Sequence, residues 1–432
     1  MAPGRLATRL LVALGAFPVA ACSVHPDSES AAARPEPATI NAAPTPGASD
    51  VDSTSFARTL VAKCARVRQG EMVLVSGAPR DARLLEDLAV EVRRLGAFPL
   101  VWVESDRMRR MSYVNVPEKF DAQPPAWRVR LAQTADVEIV VDGSESESVL
   151  ADVAPGRIAA RERAAVSVTK TLMQRGVRQI YVGNDLRPTA DRAKRFGMSE
   201  EALGRVYRAA LDVDYDELQA TGERIRAALE KPLVSKKTHG DMREIQRVAV
   251  RLTAPNGTDV RFDVHGRKAY VSDGVVSADD ERRGGAALQT WLPAGEAFVS
   301  AVPGTAEGTI VVDRDTWDGV EYQRLVLVFH EGRLESMRAD VGGERLAAAY
   351  AAGGEGKDAF GGIDIGFNPA LVAPSGSRLR SFAAFGNVTV AFGSNTWLGG
   401  ENASDFEFTS SLAGATLTAG GAAVVKDGEV VK

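Results

Sequence analysis

Leu292-Pro293-Ala294-Gly295-Glu296-Ala297-Phe298, followed by Pro303-Gly304-Thr305-Ala306-Glu307-Gly308-Thr309 and the apolar run Ile310-Val311-Val312-Asp313, is the stretch on which the reading of this chain turns. Phe298 to Ala301 and Thr309 to Asp313 are short apolar runs separated by a glycine-rich turn, the pattern of neighbouring strands. The same texture extends outward on both sides. Val248 to Leu252, Val260 to Val264, Leu325 to Phe329 and Val388 to Phe392 are further short runs, punctuated by turns such as Pro255-Asn256-Gly257. From about Lys236 onward this predicts a mainly antiparallel α+β domain, with one helix near Gly343 to Ala352.

Upstream the period changes. Phe56 to Arg66 reads as a helix and Met72 to Val75 as a buried strand. Arg80 to Leu95 carries Leu84, Leu85, Leu88, Ala89 and Val92 at helical spacing, with Gly96 as its stop. Pro99 to Val103, Val137 to Val141 and Gln179 to Val182 are strands alternating with helices at Ala126 to Ala132 and Arg157 to Arg175. Such alternation predicts a doubly wound parallel α/β domain over residues 55–235, so the fold class is α/β with a second, antiparallel domain over 236–432. Ser199 to Glu230 reads as one long helix or two broken ones leading to that second domain. No strand is followed by a phosphate-binding glycine loop, because Ser76-Gly77-Ala78-Pro79 has neither the dinucleotide nor the Walker spacing.

Composition narrows the partners. The chain has 432 residues, is 45% hydrophobic and 25% charged, and carries a net charge of -5, so it can build a large core and offers no footprint for nucleic acid. Arg5 and Arg9 precede an apolar stretch from Leu10 to Ala21 that is too short to span a bilayer and ends in small residues, which predicts a signal peptide over 1–21. Val19-Ala20-Ala21-Cys22 resembles a bacterial lipobox, making Cys22 the expected lipidation site; the alternative is an ordinary secretory signal whose cleavage site abuts a cysteine. Residues 22–54 are rich in Ala, Pro, Ser, Asp and Glu and poor in large apolar residues, as a flexible tether would be. About 30 such residues reach on the order of 30 Å. The expected location is the bacterial cell envelope, lipid-anchored to a membrane, and Ser23 after the cysteine weakly favours the outer one. Cys64 is then left as a lone, buried apolar residue.

An ordered series of motifs resembles the aminopeptidase T family of metallopeptidases. Gly257-Thr258-Asp259-Val260-Arg261-Phe262 and Gly266-Arg267 are similar to its GTDL-x-F and GR segments, and the LPAGE and G-T-x-x-G-T segments follow in order. Gly366-Phe367-Asn368-Pro369 is similar to its GIGxNP turn, Phe385 to Gly393 to its LGTVHIALG strand, and Ser404 to Thr409 to its SDxHxD strand. Val213 to Leu218 fits the helical lead into the second domain, and the resemblance covers Phe56 to Lys432.

That resemblance implies two metal ions held by carboxylates and imidazoles, with a bridging water that attacks a peptide carbonyl. Glu296 matches the family's first glutamate. The second glutamate falls on Gly362, the first histidine on Thr389, the tyrosine on Thr396, the second histidine on Glu407 and the aspartate on Thr409, so five of six positions differ. The four histidines, His25, His239, His265 and His330, offer no pair at ligand spacing, and His330 reads as a surface residue at a hairpin turn. Asp364 would share a strand face with position 362, and Asp405 and Glu407 would alternate onto one face with Thr409. Glu296, Asp364 and Glu407 are therefore the candidate metal ligands, an oxygen-only set suited to calcium or magnesium, with zinc or cobalt as the other divalent metals a surviving site would take. Against this stands the bland alternative of solvated acids lining an emptied cleft, with no cofactor.

Two functions stay open. One is a non-catalytic, lipid-anchored envelope protein that binds peptides or another protein. The other is an active metallo-aminopeptidase with a rearranged, carboxylate-rich site. No serine nucleophile elbow accompanies Thr409-Ser410-Ser411. The resemblance also implies a homodimer.

Overall fold

The computed structural model describes residues 53–230 and 249–431 apart from 375, together with the short paired strands Leu233–Val234 and Ile245–Gln246. The signal segment, Cys22, most of the tether, His25 and His239 lie outside the described residues.

Five parallel strands form the N-terminal sheet, in the order Gln289–Leu292, Arg178–Val182, Val137–Val141, Met72–Gly77, Phe98–Val103. Alternate residues of the strand Met72–Gly77 go to opposite faces. Val73 and Val75 join Leu85, Leu88 and Val92 of the helix Ala82–Arg94. Leu74 turns to Ala132, Val168 and Leu172 on the helices Ala126–Thr134 and Pro155–Arg175. Both faces are thus covered by helices, which is why the strand Met72–Gly77 opens on the unbroken apolar run Met72 to Val75. The chain is therefore doubly wound, with one addition: its edge strand Gln289–Leu292 comes from the C-terminal half.

The helical link is two helices, Glu200–Leu211 and Tyr215–Glu230. Ser199 Oγ accepts from the Ala202 N–H at 3.1 Å and caps the first. The Asp214 carboxylate accepts from the N–H groups of Asp216 and Glu217 and restarts the second. Gly222 lets that helix lie against the strand Ala269–Ser272, because a Cβ there would come within 2.4 Å of Val271 Cγ1.

Two antiparallel sheets build the C-terminal part. An eight-stranded sheet runs Arg333–Arg338, Val320–His330, Glu307–Trp317, Asp259–Asp263, Ala249–Thr253, Thr416–Ala419, Ala422–Lys426, Glu429–Val430. A five-stranded sheet runs Glu407–Leu412, Val388–Gly393, Phe360–Gly366, Glu296–Ser300, Ala269–Ser272. The inner face of the second sheet, with Ala297, Val299, Ile363, Ile365, Val388, Val390, Phe392 and Phe408, shares one core with Val250, Leu252, Phe262 and Ile310 of the first. Among the described residues no helix is long and apolar enough to cross a membrane.

Candidate functional site

Period-two alternation decides what the other face of the five-stranded sheet carries. Since Ala297, Val299, Ile363, Ile365, Val388 and Val390 point into the core, Glu296, Phe298, Gly362, Asp364, Thr389, Ala391, Glu407, Thr409 and Ser411 point the opposite way. Every strand position of the motif series that should supply a ligand therefore lies on one face. Register fixes their spacing. Phe298, Asp364, Thr389 and Ser411 form one row across four strands. Glu296 pairs with Gly366, two residues along from Asp364, so these two carboxylates are diagonal neighbours, with α-carbons roughly 7–8 Å apart.

Glu407 stands elsewhere. It pairs with Gly393, two strands over and four residues along from Asp364, which puts their α-carbons roughly 16 Å apart. The structure brings Glu296 and Asp364 near each other and leaves Glu407 at the far end of the face. Asp405, expected to alternate with Glu407, precedes the strand altogether. It accepts from the Gly354 N–H at 2.7 Å and pairs with Arg163 at 2.8 Å. Among the described residues no three His, Cys, Asp or Glu side chains are grouped so as to hold a metal ion.

The retained motifs do a different task, that of joining sheets. Leu292 ends the parallel edge strand and Glu296 starts the antiparallel one, so the intervening Pro-Ala-Gly carries the chain from one sheet to the next. Gly295 has φ +118°, and a Cβ on it would meet the Asn368 backbone nitrogen at 2.7 Å. The Phe367 N–H donates to the Gly295 carbonyl at 2.8 Å, and Asn368 Nδ2 donates to the carbonyls of Ala294 at 2.7 Å and Ala210 at 3.0 Å. LPAGE and GFNP are thus one packed unit. Glu296 itself is fully buried, and its Oε1 accepts from Asn184 Nδ2 at 2.5 Å; Asn184 also donates to the Pro293 carbonyl at 2.8 Å. Asn184 follows the parallel strand Arg178–Val182 with φ +45°. Sequence reasoning missed it, and the only local cue is the turn-like Gly183-Asn184-Asp185.

The replaced positions are equally committed. Thr389 Oγ1 and Ser411 Oγ are hydrogen-bonded at 2.9 Å. Gly362 has φ +142°, and a Cβ there would meet the Val299 carbonyl oxygen at 2.2 Å. Aromatic rings pack beside the Asp364 row: Phe298 lies 5.8 Å from Tyr270, 5.6 Å from Trp291 and 5.9 Å from Trp397, and Trp397 lies 6.0 Å from Phe382. Trp397 directly follows Thr396 in a short turn, Thr396–Leu398.

At the carboxyl ends of the parallel strands, where such sheets often bind ligands, an ion network fills the space. Arg187 pairs with Asp81 at 2.5 Å, Arg192 with Asp142 at 2.6 Å and Arg195 with Asp185 at 2.6 Å. A Cβ on Gly143 would come within 2.4 Å of Ala78 Cβ, so the two loops at the switch point touch. This is the structural counterpart of the missing phosphate loop.

An open pocket, ≈ 510 Å³ counted together with the solvent at its mouth, lies between the helix Pro155–Arg175 and the segment entering the strand Glu407–Leu412. Glu162, Thr169, Thr396 and Glu407 line it. Burial pushes the Glu162 carboxyl well above the usual carboxylate range; Arg109 opposes this, and Glu407, Asp318 and Asp405 add to it. His330 ends its strand in a tight hairpin through Glu331 and Gly332, is exposed, and lies 3.1 Å from Glu307.

A parallel α/β layer joined through LPAGE to paired antiparallel sheets defines the class: a metallopeptidase-type scaffold. The chain belongs to the thermophilic metalloprotease (M29) family, whose model matches residues 50–378. Among solved structures it is similar to wild-type AmpT from Thermus thermophilus, with 17% identity, a TM-score of 0.63, and 88% of this chain and 99% of that one covered. It is also similar to 2,5-dihydroxypyridine dioxygenase from Pseudomonas putida KT2440, at 14% identity and TM-score 0.53, covering 89% of this chain and 98% of that one. At these identities the likeness is one of fold, and the two proteins are named for different chemistries on it. No curated protein matches the chain.

The family's metal dependence sets a fit test, which the donor set fails. A two-metal site needs several convergent oxygen and nitrogen donors. Here Gly362 has no side chain, Thr389 is bonded to Ser411, no imidazole stands at either histidine position, and Glu407 lies far from Glu296 and Asp364.

Proposed function

We propose that this protein is a lipid-anchored envelope protein that uses an M29 scaffold for binding rather than hydrolysis. The carrying observation is a division of labour in the motifs. Those that pack sheets together, LPAGE with GFNP, keep their contacts, while the positions that should supply metal donors carry Gly362, Thr389, Thr396 and Thr409. A chain that kept its fold and lost its chemistry would show this division. Peptides are the ligand class the scaffold suggests, the membrane is reached through acylated Cys22, and pairing as a homodimer follows the family resemblance.

A second reading is favoured by one observation, the diagonal placement of Glu296 and Asp364 on adjacent strands. On that reading the chain is an active metallo-aminopeptidase with a carboxylate-rich site holding a divalent metal. Incubating the full chain with zinc, cobalt, magnesium or calcium and a panel of unblocked peptides separates the two. No release of N-terminal amino acids is expected, and metal-dependent release would overturn the binding reading. Fractionating cells that express the wild type and Cys22→Ser tests the anchor: the wild type should sediment with membranes and the variant should not.

A further inference from the structure

The outermost strand of the parallel sheet, Phe98–Val103, has a sheet neighbour on one side only, the strand Met72–Gly77. Its Phe98, Val101 and Val103 side chains are exposed. Of the thirteen large apolar residues exposed among the described residues, nine lie between Val90 and Trp127, and the other four are scattered from Val320 to Val431. Trp127 belongs to the same edge. The guanidinium of its neighbour Arg128 lies 5.5 Å from the Trp102 ring, so the helix Ala126–Thr134 starts against the C-terminal end of the edge strand. At the other end the Arg93 guanidinium lies 5.1 Å from the Phe98 ring. The six residues between those ends span roughly 17 Å. An apolar surface concentrated in this way marks a place of contact.

Charge selects the partner. Although the whole chain carries a net charge of -5, the exposed charged residues between Val90 and Arg130 are Arg93, Arg94, Arg107, Lys119 and Arg130 against a single acid, Glu118. Two of the exposed rings carry a cation from this set, since Lys119 Nζ lies 5.1 Å from the Phe120 ring as Arg93 does from Phe98. Aromatic rings with basic groups beside them suit the boundary of an anionic bilayer, where the rings enter the headgroup layer and the cations meet phosphate.

The backbone argues against a partner that would extend the sheet. The N–H groups of Phe98 and Glu104 donate inward to the carbonyls of Glu71 and Gly77 at 2.8 and 2.9 Å, so by alternation Pro99, Val101 and Val103 turn their backbone outward. Pro99 has no N–H to offer, and proline is a common means of blocking pairing at an edge. An added strand, from a peptide or a second copy, would lose that bond; a headgroup layer needs no such ladder. The entry of the chain fits as well. Ser53 donates to the Asp87 carboxylate at 2.6 Å on the helix Ala82–Arg94, which leads into this edge, and thirty residues separate Ser53 from Cys22.

We propose that this edge, centred on Phe98, Val101 and Trp127, docks on an anionic lipid bilayer as a membrane contact separate from Cys22. It goes beyond the proposed acyl anchor and does not require it. Alone, such a contact is weak and reversible, so Cys22→Ser should still leave the membrane when cells are fractionated in dilute buffer.

Titrating vesicles into the full-length Cys22→Ser chain tests the edge without the acyl group. An environment-sensitive dye is placed on Val101→Cys, and on Glu335→Cys, an exposed position of the strand Arg333–Arg338, as the control; Cys64 is buried. With phosphatidylcholine and phosphatidylglycerol at about 3:1, the Val101 dye should shift to the blue and the Glu335 dye should not. Phosphatidylcholine alone should bind at least tenfold more weakly. Arg130→Gln should weaken binding several-fold, and Phe98→Ser combined with Trp127→Ser at least tenfold; all three side chains are exposed, so folding is spared. No blue shift at Val101, an equal shift at Glu335, or unchanged binding in the Phe98 and Trp127 double variant overturns the contact. A blue shift that needs no lipid and grows with protein concentration gives the edge to a second copy and overturns it too. The acyl anchor fails separately, if wild type and Cys22→Ser fractionate alike.

Discussion

Substituting Glu296 separates a packing role from a metal-binding role. The side chain is fully buried and its Oε1 accepts the Asn184 amide at 2.5 Å. A hydrogen bond to a charged partner contributes about 1.5–3 kcal/mol, and truncating the side chain leaves a cavity that adds about 1 kcal/mol. Glu296→Ala should therefore cost about 2.5–4 kcal/mol. Glu296→Gln keeps the Oε1 acceptor and the volume, so it should cost about 1 kcal/mol or less. At about 2–4 °C per kcal/mol, alanine lowers Tm by roughly 5–16 °C and glutamine by under about 4 °C. Thermal melts followed by near-ultraviolet circular dichroism, with and without added zinc or cobalt, read this out. A ligand that binds only the folded state raises Tm by mass action. A wild-type Tm that rises with metal, and loses that rise in Glu296→Gln, would show that Glu296 holds metal and refute the packing role.

Three further outcomes follow from other parts of the structure. Burial pushes the Cys64 thiol up to about 12, so a thiol reagent at neutral pH should find no reactive cysteine in the native protein if Cys22 carries the proposed acyl group. It should find one if Cys22 is left unmodified, and Cys64 should react only after denaturation. Gly222→Ala drives a methyl to within 2.4 Å of Val271 Cγ1 and 2.9 Å of Phe367 Cζ, so it should destabilise by about 1–3 kcal/mol in urea titrations even though alanine favours helices. The Glu307 hydrogen bond and charge raise the His330 pKa, so in a proton NMR titration His330 should stay protonated to higher pH than a free histidine. Glu307→Gln should move the midpoint down, and an unchanged midpoint would contradict the pairing.

What was legible in the sequence depended on how local the cause was. Met72–Gly77, Val137–Val141 and Arg178–Val182 announce themselves because burial on both faces makes each of them carry a cluster of β-branched and other apolar residues. Gln289–Leu292 does not, since four buried residues have no period and their partner strand is more than a hundred positions away. The helices Asp106–Val114 and Ala190–Phe196 escape for another reason. Both are short and arginine-rich, and their starts are set by Ser105 and Thr189, whose hydroxyls accept from the N–H groups of Met108 and Arg192. For the site, alternation alone puts Asp364 on the face of Gly362 and Glu407 on that of Thr409, because side-chain period is local. Distance across that face depends on register among four strands, which spacing cannot give. Hence Glu296 and Asp364 prove to be neighbours and Glu407 does not.

The most direct test of the central claim is one experiment on the purified full chain. After loading with zinc or cobalt and removal of free metal, elemental analysis is run alongside hydrolysis of a panel of unblocked peptides. The division between retained packing motifs and replaced ligand positions predicts far less than one metal per chain and no release of N-terminal residues. One or two metals per chain, with peptide hydrolysis that disappears on chelation, would contradict it.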